Sequence, residues 1–122
     1  MLVSSEAKFF EKVRVLVQNH IPNENITIHC WSWEDDLKTH QLSYDAMVSW
    51  HFRVDLFSTT KFYCDFTTKH GSGNYGVYSK TRAKICHNYC FWRITKDGPC
   101  LLVKNEEEDA YCQDWKHPAT NS

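Results

Sequence analysis

Between Lys12 and Gln18 the chain reads KVRVLVQ, with Val13, Val15 and Val17 on one side and Arg14, Leu16 and Gln18 on the other. A period of two sends successive side chains to opposite faces of an extended backbone, so a strand is predicted. NHIPNEN at 19–25 has the Asn and Pro content of a turn, and ITIHCWS then puts Ile26, Ile28 and Cys30 on one face, which predicts a hairpin. A short strand is predicted at 40–43. MVSWHFRVDLF at 47–57 is the clearest strand, with Val48, Trp50, Phe52 and Val54 sharing a face, and TKFYCDFTT at 60–68 turns Phe62, Cys64 and Phe66 inward. YGVYS, CFWRIT and PCLLVK supply further strands, KDGP at 96–99 reads as a tight turn, and KHGSGN at 69–74 as an open loop. Only residues 4–13 offer a helical turn or two, and the run Glu106 to Asp109 is predicted to be a solvated turn rather than a cation site.

About eight short strands separated by turns predict an all-β, antiparallel sandwich or barrel in a single domain at 12–115. Residues 1–11 form an N-terminal extension and 116–122 a polar tail in this reading. Composition agrees: 42% hydrophobic and 15% aromatic residues in a chain of 122 suffice for one core and not for two. The net charge of −1 supplies no field that would draw the chain to nucleic acid or anionic lipid. No apolar run approaches the roughly 20 residues of a spanning helix. We therefore expect a monomer that is neither transmembrane nor a nucleic-acid binder.

Six cysteines at 30, 64, 86, 90, 100 and 112 read as a disulfide framework in an oxidising compartment. Structural zinc would want two short-spaced ligand pairs, and only Cys86 and Cys90 lie close together, so disulfides are preferred. Of the fifteen pairings that six cysteines allow, we expect Cys30–Cys90, Cys64–Cys86 and Cys100–Cys112. The start MLVSSEAKFF has no leader, so the chain is read as a mature form with Met1 supplied for expression. Asn25-Ile26-Thr27 is a glycosylation acceptor if the chain is secreted.

Catalytic chemistry finds little support. The seven histidines form no local pattern, and His29 and His51 fall on the outward parity of their strands. There is no glycine-rich phosphate loop, no GxSxG and no HExxH. No catalytic residue, metal or cofactor is assigned. Trp50 and Trp92 sit in strand patterns as core, whereas an exposed Trp31 and Trp33 would form a surface for stacking.

Taken together, ITIHCWSWEDDL, VSWHFRVDLFSTTKFYCDF and CHNYCFWRITKDGPCL resemble the plant self-incompatibility protein family, the S-protein homologues. The likeness is carried by Cys30, Ser32, Asp36 and Leu37, then Trp50 and Phe52, then Thr59, Thr60, Phe62 and Cys64, and finally Cys86, Cys90 and Trp92 before DGPC. It spans most of the chain, about Val13 to Leu101. The resemblance implies a small secreted plant protein, not an enzyme, folded as an all-β antiparallel β-sandwich of about eight short strands stapled by disulfides among Cys30, Cys64, Cys86 and Cys90, and related to pistil ligands that a pollen receptor recognises. Cys100 and Cys112 depart from that pattern and would tie down the C-terminal segment.

A plasma-membrane receptor protein is accordingly the expected partner, read by loops that a rigid scaffold presents. The expected contact residues are Glu34, Asp35, Asp36, Lys38 and His40 in the first loop, Lys69, His70 and Asn74 in the second, and Lys80, Arg82 and Lys84 in the third. The runner-up is an effector-like or toxin-like sandwich that binds a membrane or glycan directly. If the cysteines are all paired, the intact non-reduced chain should weigh about six daltons less than its all-thiol mass. Mass spectrometry checks this, and free Cys86 and Cys90 in folded protein would contradict it.

Overall fold

A computed structural model describes residues 12–54, 59–103 and 106–120, with the backbone alone at 106–110. Ten strands occur among them: β1 Lys12–Asn19, β2 Ile26–Ser32, β3 Asp36–Leu42, β4 Met47–Arg53, β5 Phe62–Thr67, β6 Gly71–Tyr78, β7 Tyr89–Thr95, β8 Gly98–Val103, β9 Glu106–Cys112 and β10 His117–Pro118. One helix, α1, runs from Lys80 to Cys86. The strands form two five-stranded sheets, ordered β4-β1-β7-β8-β9 and β10-β6-β5-β2-β3. Their inward faces meet as a sandwich, in which Val13, Val15 and Val17 of β1 and Cys90, Trp92 and Ile94 of β7 oppose Ile26, Ile28, Cys64, Phe66 and Val77.

The all-β sandwich is thus the fold, with one topological difference from the expectation. β1 pairs parallel with β7, Val15 opposite Cys90 and Val17 opposite Trp92, and every other pairing is antiparallel. Periodicity fixes which face of a strand is buried and carries no information on the direction of its neighbour.

Local assignments also shift. The predicted strand at 40–43 begins earlier, at Asp36. The expected loop at 69–74 is mostly strand, because β6 starts at Gly71, and Gly71 and Gly73 pack where side chains would not fit: a Cβ on Gly71 would lie 2.4 Å from the Trp115 ring. SKTRAKICHN at 79–88 holds α1. Ser79 caps it, its Oγ accepting from Arg82 N at 3.2 Å. Seven residues are too few for a helical period to show in the sequence or for the helix to stand alone. The Glu106–Asp109 run continues as backbone of β9 instead of turning. His117 and Pro118, within the expected tail, pair with Ser72 and Gly71. The helical turn expected at 4–13 falls largely on residues outside those described, and Lys12 and Val13 already belong to β1. Residues 55–57 of the strand predicted at 47–57 also lie outside them.

Two of the expected disulfides are corrected. Cys30 bonds Cys64, and Cys86 bonds Cys90, while Cys100 bonds Cys112. Cys30 and Cys64 face each other directly across β2 and β5, with 4.0 Å between their α-carbons. Cys90 stands on β7 in the other sheet, whereas the β2–β5 register already sets Cys64 against Cys30, so the cross-strand bond forms without a bridge through the core. Cys86, at the end of α1, instead reaches forward across the His87 turn. Separations of 34, 12 and 4 residues correspond to about 4, 3 and 2 kcal/mol of loop-closure entropy removed from the unfolded chain.

One polar side chain joins the loops at the end of the sandwich where β1 stops. Asn19, fully buried, donates through Nδ2 to the carbonyls of Glu24 at 2.7 Å and Leu42 at 2.9 Å, and its Oδ1 accepts from Ile21 N at 2.9 Å. The C-terminal segment is held in a similar way. Trp115 Nε1 donates to Lys96 O at 3.0 Å, and Tyr75 Oη donates to Asp114 O at 2.8 Å while accepting from Lys116 N at 2.7 Å. Burial pushes the Tyr75 phenol above its ordinary pKa, so this anchor stays protonated at neutral pH and is lost only as pH rises through that raised value. Asn19→Ala would strand three buried backbone groups and should cost about 3 kcal/mol in urea denaturation at unchanged m-value. A loss below about 1 kcal/mol would show that water replaces the side chain.

Candidate functional site

The topology sorts the three expected contact loops between two ends of the sandwich. Ser32, Phe62 and Tyr78 are aligned across β2, β5 and β6 at one end, and Thr27, Thr67 and Ser72 at the other. The 32–36 loop and the 79–81 segment therefore lie together. The 68–71 turn lies at the far end, five residues of strand or roughly 17 Å away. There His70 Nε2 sits 3.2 Å from Glu24 Oε1, and Lys69 N donates to Glu24 Oε2 at 2.7 Å. Asn74 is on β6, its Nδ2 donating to Asp65 Oδ1 at 3.0 Å. Asn25 is exposed at this far end as well, just before β2.

At the near end the loop is closed by its own first residue. Ser32 Oγ accepts from Asp35 N at 3.0 Å and from Glu34 N at 3.3 Å, and Ser32 N donates to Asp35 O at 2.7 Å. This serine turn pushes Trp33 outward until 98% of it is exposed. Asp36 then opens β3. Its Oδ1 accepts from Lys38 N at 2.9 Å and contacts His29 Nε2 at 2.7 Å, and the Lys38 N–H followed by the His29 ring hold its carboxyl below the ordinary carboxylate pKa. His40 is tied locally, its Nε2 lying 2.8 Å from Leu37 O.

Two recesses flank this loop. The smaller, about 420 Å³, lies over the outer face of β2 and is lined by His29, Trp31 and Trp33 with the carboxylates of Glu34, Asp35, Asp36 and Asp65. Trp31 is half-buried between His29 and Tyr63, with ring centroids 5.2 and 6.2 Å away. The larger is a cleft of about 830 Å³ between the loop and the start of α1. Phe52 and Phe62 line it, their rings 4.6 Å apart, alongside Arg53, Lys61 and Lys80. Ser32 to Asp35 form the wall between the two. An acidic, aromatic recess and a cleft bearing cations thus share one ridge.

Not every expected contact residue is presented outward. Arg82 is half-buried: its Nε donates to Gly76 O at 3.1 Å and its guanidinium lies 5.7 Å from the Trp92 ring and 4.9 Å from that of Tyr111, which docks α1 on the sandwich. Glu34, Asp35, Lys38, Lys69, Lys80 and Lys84 are exposed. The sequence reading missed Tyr63 and Asp65. The signal was present, since the parity that sends Phe62, Cys64 and Phe66 inward sends these two outward beside His29 and Trp31. Among the described residues, no group of three or more His, Cys, Asp or Glu is arranged to hold a metal ion, and no helix is long and apolar enough to cross a membrane.

The fold and site define a disulfide-stapled β-sandwich that displays shaped, charged loops at its ends. Residues 14–115 match the family model described as plant self-incompatibility protein S1, and the chain belongs to that family of small secreted plant proteins. It is 32% identical over 108 residues to S-protein homolog 5 of Arabidopsis thaliana, covering 88% of this chain and 81% of that protein. It is 34% identical over 101 residues to self-incompatibility protein S1 of Papaver rhoeas, covering 79% of this chain and 72% of that one. A solved structure of SPH (self-incompatibility protein homologue) proteins, described as a widespread family of small, highly stable, secreted plant proteins, superposes with a TM-score of 0.63 at 13% identity. The superposition covers 93% of this chain and all of that one, and it shows the shared fold.

Because the folded pKa of Asp36 is lowered, its stabilisation of the turn is present above the ordinary carboxylate value and is lost as pH falls through the folded one. An NMR titration should give Asp36 a midpoint below about 3.9, and His29→Ala should raise that midpoint. A midpoint at or above the ordinary value would remove Lys38 N and His29 as its partners.

Proposed function

We propose that this chain is a non-enzymatic extracellular signalling ligand, recognised by a plasma-membrane receptor protein through the end of the sandwich that carries the 32–36 loop and the start of α1. The observation that carries the reading is the juxtaposition there of Glu34 and Asp35 with Lys80 across a cleft on a disulfide-bonded scaffold. Charges of both signs held in fixed positions orient a partner and speed its encounter more than they add raw affinity. A scaffold closed by three disulfides loses little loop entropy on binding. A glycan on Asn25 would sit at the far end and leave this surface open. Family membership supports an extracellular signalling role, and the relation of S1 to self-incompatibility supports recognition by a cell surface.

The geometry refines which loop residues would do the recognising. Asp36 is committed to its own turn, so Glu34, Asp35, Lys80 and Lys84 are the better candidates for contact, and Lys69 and His70 in the 68–71 turn would belong to a separate surface. Direct binding to a membrane or a glycan is the second reading, favoured by the exposure of Trp33.

Labelled protein should bind intact plant cells saturably, and protease treatment of the cells should abolish the binding. Asp35→Asn with Lys80→Ala should weaken it several-fold, mainly through the association rate, with thermal stability unchanged. Binding to protein-free liposomes or oligosaccharides of equal strength would favour the second reading, and turnover lost on substituting single histidines would overturn both.

A further inference from the structure

The recess over β2 is aromatic and acidic at once, and those two properties select the same kind of ligand. Trp33 stands almost wholly in solvent, and Trp31 and Tyr63 continue its aromatic surface along the outer face of β2 and β5. A fully exposed tryptophan on a loop locked by Ser32 is costly to leave in water and offers a large rigid contact. Glu34, Asp35, Asp36 and Asp65 surround these rings, and none of the residues lining the recess is Lys or Arg. Arg53, Lys61 and Lys80 line the cleft on the other side of the ridge. Carboxylates concentrated around a concave surface focus a negative potential, and indole faces attract cations through their quadrupole.

We propose that this recess is the docking site for a Lys- or Arg-bearing segment of the protein partner, a basic side chain lying on Trp33 and Trp31 with its charge among Glu34, Asp35 and Asp65. The proposal rests on the reading of the chain as a ligand for another protein and names the chemistry that the partner must present. Charge complementarity decides the occupant. A neutral sugar would use the rings and leave the carboxylates without a counter-charge, and an anionic bilayer would be repelled by them. Asp36 and Asp65 are partly committed, to Lys38 N with His29 and to Asn74 respectively, so Glu34 and Asp35 would carry most of the electrostatic contact.

The test titrates the folded protein with an acetylated, amidated hexa-arginine peptide, and in parallel with hexaglutamate, chitohexaose and phosphatidylserine vesicles. Tryptophan fluorescence and the NMR signals of the indole N–H groups report binding. Hexa-arginine should bind saturably and shift the Trp33 and Trp31 indole signals. Trp33→Ala should weaken it roughly tenfold and Trp33→Tyr much less, in keeping with a cation on a ring face. Glu34→Gln with Asp35→Asn should weaken it further and flatten its dependence on salt. Trp33, Glu34 and Asp35 are exposed, so these variants should keep the wild-type melting temperature. No shift at Trp33, hexa-arginine binding indifferent to Trp33→Ala, or chitohexaose or vesicles binding there in its place would each overturn the site. Binding to intact cells separates the two levels: saturable, protease-sensitive cell binding that survives Trp33→Ala sinks this site and leaves the ligand reading standing. Absence of any such cell binding sinks the ligand reading itself, whatever the peptide does.

Discussion

The bond from the Trp92 indole to Val77 O, 3.0 Å long and completely buried, is the contact on which the rest of the molecule is registered. Trp92 belongs to β7, at the centre of one sheet, and Val77 to β6 in the other. An indole N–H without a partner in such a core would cost about 1–3 kcal/mol, so the two sheets are constrained in spacing and in lateral position by one donor and one acceptor. The same ring carries Arg82 at 5.7 Å, and Arg82 Nε donates to Gly76 O, beside Val77. The place where α1 begins, and with it the basic wall of the cleft, follows from that stack.

Disulfides finish what the core begins. Cys30–Cys64 lies within one sheet, Cys100–Cys112 within the other, and Cys86–Cys90 closes the turn between α1 and β7. None of them joins the two sheets. Besides the Trp92 bond, cohesion between the layers is left to packing, above all Phe52, whose ring lies 4.6 Å from that of Phe62 and 5.0 Å from that of Tyr78 across the sandwich. The loop at 32–36 stands at the edge of these rings. Ser32 Oγ and the Ser32 N–Asp35 O bond close that loop on itself, and a loop closed in advance has less conformational entropy left to lose.

Legibility in the sequence differed by kind of feature. The inward sets on β1, β2 and β5 could be read from parity, as could the burial of Trp92 and the exposure of His51, because alternation is a local consequence of the pleat. KDGP delivered its turn, with Thr95 opposite Gly98. α1 was invisible because seven residues give barely two turns, and its support comes from Arg82 and the Cys86–Cys90 bond. The acidic loop was legible as composition, and so was Trp33 as a residue of interest. The recess was not, since Asp65, which lines it, and Tyr63, beside Trp31, arrive from a strand some thirty residues further along the chain.

The sequence by itself determined the class of fold, the inward faces, the family, and the presence of enough cysteines to staple the chain, because each of these is written in local order or in motifs read in order. Only the tertiary structure decided partners. It placed β1 parallel to β7, set Cys30 against Cys64, brought the 79–81 segment to the 32–36 loop and sent the 68–71 turn to the opposite end. The physical reason is that a strand's pattern specifies what must be buried, whereas the identity of the neighbour that buries it emerges only when all the faces of the chain compete for one core.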